Sequence, residues 1–218
     1  MALFELASEY YPVEGQELPN EKTKLIAGLY GDDCDFFTAK GMVEQLLDTL
    51  FISNYEFEAS SDEYAYHPGR CAHIMIDDTV IGVIGEIHPK VSENYGINER
   101  ILCFTLDVDS LFAHTQTNAT YTPLPKFPAV TRDLALICDE TIPVRMLEKA
   151  ITKGAGNLLE TIQLFDVYQG EQIESGKKSV AFNIVLRSAE NTLAEEQVNS
   201  TMKKVMKELE KVGANLRV

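Results

Sequence analysis

The sequence predicts an α+β protein in two parts: an antiparallel-sheet region, then a unit of order β-α-β-β-α-β. Three observations carry that expectation. Short runs of alternating apolar residues dominate the first 114 positions, with one long helical stripe among them. A polar, threonine-rich stretch beginning at Thr115 then runs into Pro123, Pro125 and Pro128. Beyond it, four strand-like runs frame two amphipathic helices. Proline fixes its own φ and pushes its predecessor toward extended backbone. Residues 115–125 therefore read as a connector between a first domain, 1–114, and a second, 126–218.

In the first domain, residues 4–11 and 24–30 are strand-like. Residues 36–51 read as a helix, since Met42, Leu46, Leu47 and Leu50 recur at helical spacing. The acidic run Asp32, Asp33 and Asp35 sits where carboxylates stabilise a helix N-terminus. Residues 70–76 and 79–87 form a hairpin around Asp77-Asp78, His88-Pro89 opens a short helix, and residues 101–108 alternate once more. Five strands and one long helix leave part of the sheet uncovered, and an unpaired edge calls for a neighbour. The expectation is the end of a larger module, cut upstream.

In the second domain, residues 132–138, 158–168, 179–186 and 215–218 read as strands. Val144, Leu147 and Ile151 mark one helix. Thr192, with Glu195 three places on, predicts a capping box for the other, whose stripe is Val198, Met202, Val205, Leu209 and Val212 until Gly213 ends it. This order is the ferredoxin-like split unit, with both helices on one face of four strands. Val180, Phe182, Ile184 and Leu186 face that core, which leaves Ala181, Asn183, Val185 and Arg187 on the free side. Leu164-Phe165 breaks the alternation of the second strand and predicts a bulge.

Composition narrows the function. Hydrophobic and charged fractions of 45% and 24% are those of an ordinary globular chain and exclude disorder. No run of 18 apolar residues exists and the N-terminus has no basic, apolar leader, so neither a membrane span nor a signal peptide is expected. Cys34, Cys71, Cys103 and Cys138 are widely scattered and suit free thiols in a cytoplasmic protein. The net charge of −15 resides wholly in residues 1–122, whereas residues 123–218 carry 13 cations and 13 acids. The neutral second domain stays open to an RNA partner.

Candidate chemistry is sparse. Cys71 and His73 share a strand face, so a metal shared with His67 or His88, or a Cys-His nucleophile, has to be weighed. No second pair at zinc-ligand spacing completes such a site, and a Pro68-Gly69 turn feeding a strand is the simpler account. Gly82-Val-Ile-Gly85 lacks the spacing and the lysine of a phosphate loop and reads as close strand packing. In the second domain, Arg132, Lys177, Lys178 and Arg187 are candidate phosphate-facing cations, with Lys126 and Arg217 also at strand ends. Phe165 and Tyr168 are the candidate base-stacking groups, because the two central strands present no outward aromatic.

Four runs in the second domain, 126–136, 159–173, 176–182 and 192–199, resemble in order the ferredoxin-fold anticodon-binding domain that ends bacterial phenylalanine–tRNA ligase beta subunits. Phe4-Glu-Leu-Ala, His67-Pro-Gly-Arg70, residues 81–90 and residues 104–109 resemble the end of that subunit's catalytic-like, synthetase-like module. The resemblance implies an (αβ)2 ligase that attaches phenylalanine to tRNA(Phe) with ATP and Mg2+, the alpha subunit holding the aminoacylation site. For this chain it implies tRNA contact near the anticodon and scaffolding of the assembly, with no catalytic, editing or metal site and no cofactor of its own. Gln163 and Gln169 stand where arginine is common in the family, which weakens that stretch as a phosphate contact. The alternative is a stand-alone regulatory or assembly module that binds protein or a small ligand. A hydrolase built on His67, Cys71 and His73 is a third reading.

Overall fold

Alternating apolar residues build six antiparallel strands in the first part of the chain: β1 (Ala2–Tyr11), β2 (Asn20–Leu29), β3 (Tyr55–Ala59), β4 (Tyr66–Ile76), β5 (Thr79–Ile87) and β6 (Leu102–Asp107). They lie in the order β1-β2-β6-β5-β4-β3. Three helices join them, α1 (Phe36–Thr49), α2 (Pro89–Asn94) and α3 (Val108–His114). The computed structural model describes residues 1–116, 121, 123–170 and 172–217. It divides the chain into two units, Met1–Tyr121 and Thr122–Val218. Part of the expected connector, residues 117–120 and 122, lies outside the described residues, as does residue 218 of the expected last strand.

Two of these elements have no counterpart in the sequence reading. β3 turns only Tyr55 and Phe57 toward the core, a stripe too short to register as alternation. α3 is set by Asp107, whose Oδ1 accepts from the Ser110 amide at 2.8 Å while Oδ2 pairs with Lys24 at 3.1 Å. α1 seats on Ala39, Val43 and Leu47, all fully buried, and Met42, expected on that stripe, is exposed. Ala39 is small enough to let this four-residue ridge approach the sheet, so the large side chains do not define the contact line. Asp35 caps α1 through Oδ1, which accepts from the Thr38 amide at 2.7 Å; this bond holds the carboxyl below its usual range. The β4–β5 turn takes φ of 46° at Asp77 and 64° at Asp78, the doubly left-handed geometry a tight hairpin needs.

One irregularity matters later. Tyr66 pairs with Ile87 and Cys71 with Gly85, so four residues, 67–70, stand opposite Glu86 alone. The two strands then close so tightly that a Cβ on Gly85 would lie 2.7 Å from the Arg70 carbonyl oxygen. On the far edge, Leu3, Phe4, Leu6 and Tyr10 of β1 are 60–78% exposed.

The second unit runs β7 (Val130–Asp139), α4 (Val144–Ala155), β8 (Leu159–Tyr168), β9 (Lys177–Leu186), α5 (Glu195–Lys211) and β10 (Asn215–Leu216). Its sheet order is β10-β7-β9-β8, with every neighbouring pair antiparallel. Val180, Phe182, Ile184 and Leu186 are fully buried against Leu147, Ile151, Val198, Val205 and Leu209. The helices cross at Gly154, where a Cβ would stand 2.5 Å from the Val205 Cα. Met202 and Val212 pack at the margin of this core.

Thr192 does not cap α5. The cap is Ala194, whose amide donates to Gln197 Oε1 at 3.0 Å. Leu193, buried just before the cap, and Val198 on the first turn belong to one apolar cluster, the arrangement of a hydrophobic staple. Burying Leu193 there fixes the cap two residues beyond Thr192.

Candidate nucleic-acid interface

Strand alternation assigns Thr131, Asp133, Ala135 and Ile137 of β7 and Ser179, Ala181, Asn183 and Val185 of β9 to the side of the sheet away from the helices. No aromatic stands among them, as expected. Asn183 Nδ2 donates to Asp133 Oδ1 at 2.7 Å, which puts a carboxylate at the middle of this face.

The face is not open throughout. Ser179 and Ala181 are buried although no helix covers them. Ile173 is buried too, outside the helix-side cluster, and Gln172 Oε1 lies 3.4 Å from Arg217 Nη2 beside β10. Gln172 and Ile173 therefore account for cover on this side of the sheet.

Thr131 and Asp133 stay exposed on this face, and the β8 edge is accessible beside it. Leu164 pairs with Phe182 and Asp166 with Ala181, so Phe165 is the extra residue of a bulge, where the broken alternation predicts one. Phe165 is 57% exposed and Tyr168 is 37% exposed, with Leu164 and Val167 beside them at 38% and 46%. Those two aliphatic residues are on the helix-side register yet lie uncovered, and sequence reasoning missed them: their parity alone assigns them to the core.

The predicted cations do not converge. Lys177 and Lys178 lie at the start of β9 beside Tyr168, whereas Arg187 follows its other end. Ten residues at about 3.3 Å each separate those ends by roughly 30 Å. Lys177 is exposed and pairs with Glu174 at 2.5 Å; this bond holds the Glu174 carboxyl below its usual range. Lys178 is a correction: only 8% exposed, it shares the inward register of Val180 and donates to the Glu140 carbonyl at 3.1 Å. Arg187 is likewise committed, through Nε to Glu160 at 2.8 Å and through Nη1 to the Phe127 carbonyl. It borders a groove of about 430 Å3 with Leu124, Lys126 and Asn157. Arg132 shares the register of Leu134, on the helix side, and donates to the Thr131 carbonyl at 3.0 Å, so Arg132 and Arg187 occupy opposite sides of the sheet.

In the first unit, His67, Cys71 and His73 form no joint site. His67 Nδ1 accepts from the Gly69 amide at 3.1 Å, and His73 Nε2 lies 3.0 Å from Glu63 Oε1. Burial pushes the Cys71 thiol up to about 11, the wrong direction for a nucleophile. Among the described residues, no three His, Cys, Asp or Glu side chains gather at metal-binding distance, and no helix is long and apolar enough to cross a membrane.

Fold and surface together define a sheet unit followed by a ferredoxin-fold unit of the anticodon-binding class: residues 125–217 match the family described as the ferredoxin-fold anticodon binding domain. Residues 1–108 match the phenylalanyl tRNA synthetase beta chain CLM domain. The chain belongs to the phenylalanine–tRNA ligase beta-subunit family. It is 41% identical over 217 residues to the beta subunit of Clostridium acetobutylicum, covering 99% of this chain and 27% of that one. With the Bacillus subtilis beta subunit it shares 38% over 222 residues, 96% of this chain and 27% of that one. The chain thus spans about a quarter of the length of these relatives. A pyrrolysyl tRNA synthetase of Desulfitobacterium hafniense superposes at a TM-score of 0.42 with 14% identity, over 54% of this chain and 46% of that one, too loosely to argue from.

Proposed function

We propose that residues 126–218 contact tRNA(Phe) near the anticodon and that residues 1–114 scaffold a phenylalanine–tRNA ligase in the cytoplasm, joined by the connector at 115–125. The observation that carries this is the β8 edge, where a bulge aims Phe165 outward beside Tyr168 within a domain of the anticodon-binding family. Base-stacking aromatics on an exposed strand are a sequence-tolerant way to hold unpaired nucleotides. Lys177, beside Tyr168, supplies a phosphate contact next to the stacking edge and Arg132 a separate one on β7, while Lys178 and Arg187 serve the fold. ATP, Mg2+ and the aminoacylation site belong to the whole ligase, and the alpha subunit of an (αβ)2 assembly is the protein partner. This chain contributes neither a catalytic nor an editing residue.

The test is binding of the full chain to tRNA(Phe) beside a variant with an altered anticodon, at two salt concentrations. A preference for the native anticodon that weakens in Phe165→Ala supports the reading. Equal binding of both RNAs, unchanged in Phe165→Ala, overturns it.

A further inference from the structure

The bulge at residues 67–70 turns Arg70 onto Glu86 at one end of the first unit's sheet. Arg70 Nη1 meets both carboxylate oxygens, at 3.0 and 2.8 Å, and Arg100 Nε stands 4.0 Å from Oε1. Glu86 is 8% exposed, whereas the side chains of Arg70 and Arg100 are 46% and 75% exposed. One buried carboxylate balances one guanidinium, so the second leaves a surplus positive charge at the surface. Among the described residues, Nε and Nη2 of Arg70 and both Nη atoms of Arg100 have no partner. Two grooves share this trio. One, of about 360 Å3, runs along α2 past Ile97, and the other, of about 250 Å3, lies beside Phe37 and Leu102.

We propose that this corner docks a protein segment that inserts a single carboxylate between Arg70 and Arg100 and carries cations on either side. Planar guanidinium forks match a carboxylate with paired hydrogen bonds. Glu86 already holds Arg70 in place, so little side-chain freedom is lost on binding. The surroundings select the rest of the ligand. Glu93 and Glu99 border the first groove and Asp35 the second, which makes a positive centre within a negative rim. That pattern complements a negative group flanked by lysine or arginine, and it repels a phosphodiester chain, whose charge is unbroken. The acidity of residues 1–122 acts in the same sense at longer range. The inference does not depend on the second unit's binding RNA.

Arginine side-chain NMR of the full chain, titrated with the capped peptide Lys-Lys-Glu-Lys-Lys, its Gln-centred control and an oligoribonucleotide of matching length, tests it. The Glu peptide is expected to shift the Arg70 and Arg100 Nε–H signals saturably, about fivefold tighter than the control and tighter than the RNA. In Arg100→Ala, which leaves the Arg70–Glu86 pair intact, that advantage over the control disappears. Equal binding of the two peptides means general attraction to an acidic surface and overturns the proposal. So does tighter binding of the RNA, or an advantage unchanged in Arg100→Ala.

Discussion

β1 and β8 are both ten-residue strands at a sheet edge, and both expose large apolar side chains. β1 pairs with β2 without a break from Ala2 to Tyr11, so its outer edge is a continuous row of backbone donors and acceptors. β8 is interrupted twice along β9, once after Leu159 and once after Leu164. Bulges twist an edge and spoil it as a template for another strand. β1 also carries Glu5 and Glu9 and no cation, within a strongly acidic unit, whereas β8 belongs to a unit of balanced charge. Exposed apolar residues thus mean different things on the two edges. β1 offers backbone; β8 offers side chains.

Removing what holds β8 in register has the largest expected effect. Phe182, fully buried, sits opposite Leu164 of β8 and Leu134 of β7, and Phe182→Ala is expected to cost about 3–5 kcal/mol in urea denaturation. A loss below about 1 kcal/mol means that this pairing does not set the edge. Phe165→Ala is expected to weaken tRNA binding by about 1–3 kcal/mol while stability stays within roughly 0.5 kcal/mol. Phe4→Ala on β1 leaves that binding unchanged; equal losses from both variants erase the contrast. Phe4→Lys is expected to lower concentration-dependent self-association in sedimentation velocity, whereas Val167→Lys on β8 does not. A wild-type chain that stays monomeric at high concentration refutes β1 as a template.

The smallest effect is alkaline. Burial first, then nearby acids, pushes the Tyr55 hydroxyl up to about 12, and burial first does the same to Tyr66. Both phenols belong to the first unit. Their neutral form is favoured when folded, so the stability they contribute is complete below the ordinary tyrosine value of about 10. It is lost as pH rises toward 12, the folded value. Denaturation midpoints at pH 9 and pH 11.5, compared with those of Tyr55→Phe, check this; an equal fall in both chains removes Tyr55 from the account.

Much of the fold was legible because β9 and α5 carry long, regular stripes, and because Leu164-Phe165 breaks a pattern where the chain bulges. The failures share a cause. Residue type points to Met42 and Thr192, but Ala39 and Leu193 decide the geometry, one by being small and one by being buried. Parity along β9 puts Lys178 on the inward side with Val180, a signal that its charge masks. Nothing in the local sequence around Gln172 and Ile173 announces the cover they give the sheet, since the contact between Gln172 and Arg217 spans 45 positions. The Arg70–Glu86 pair was invisible for the same reason: a bulge, not a spacing, brings the two together.

The place of β6 in the first sheet has a consequence for the order in which the chain can fold. β6 is the last strand of that sheet in sequence, yet it lies at the centre, between β2 and β5. Until residues 102–107 are synthesised and released, the β1–β2 hairpin and the β3–β4–β5 meander are separate ribbons, each with an inner edge unsatisfied. Closing the sheet spans more than 70 residues between β2 and β6, and such distant pairing is slow and leaves strand edges open to wrong partners meanwhile. A nascent chain with only residues before Leu102 outside the ribosome is expected to bind a chaperone that ignores one released through Leu111, by which point β6 can pair with both inner edges.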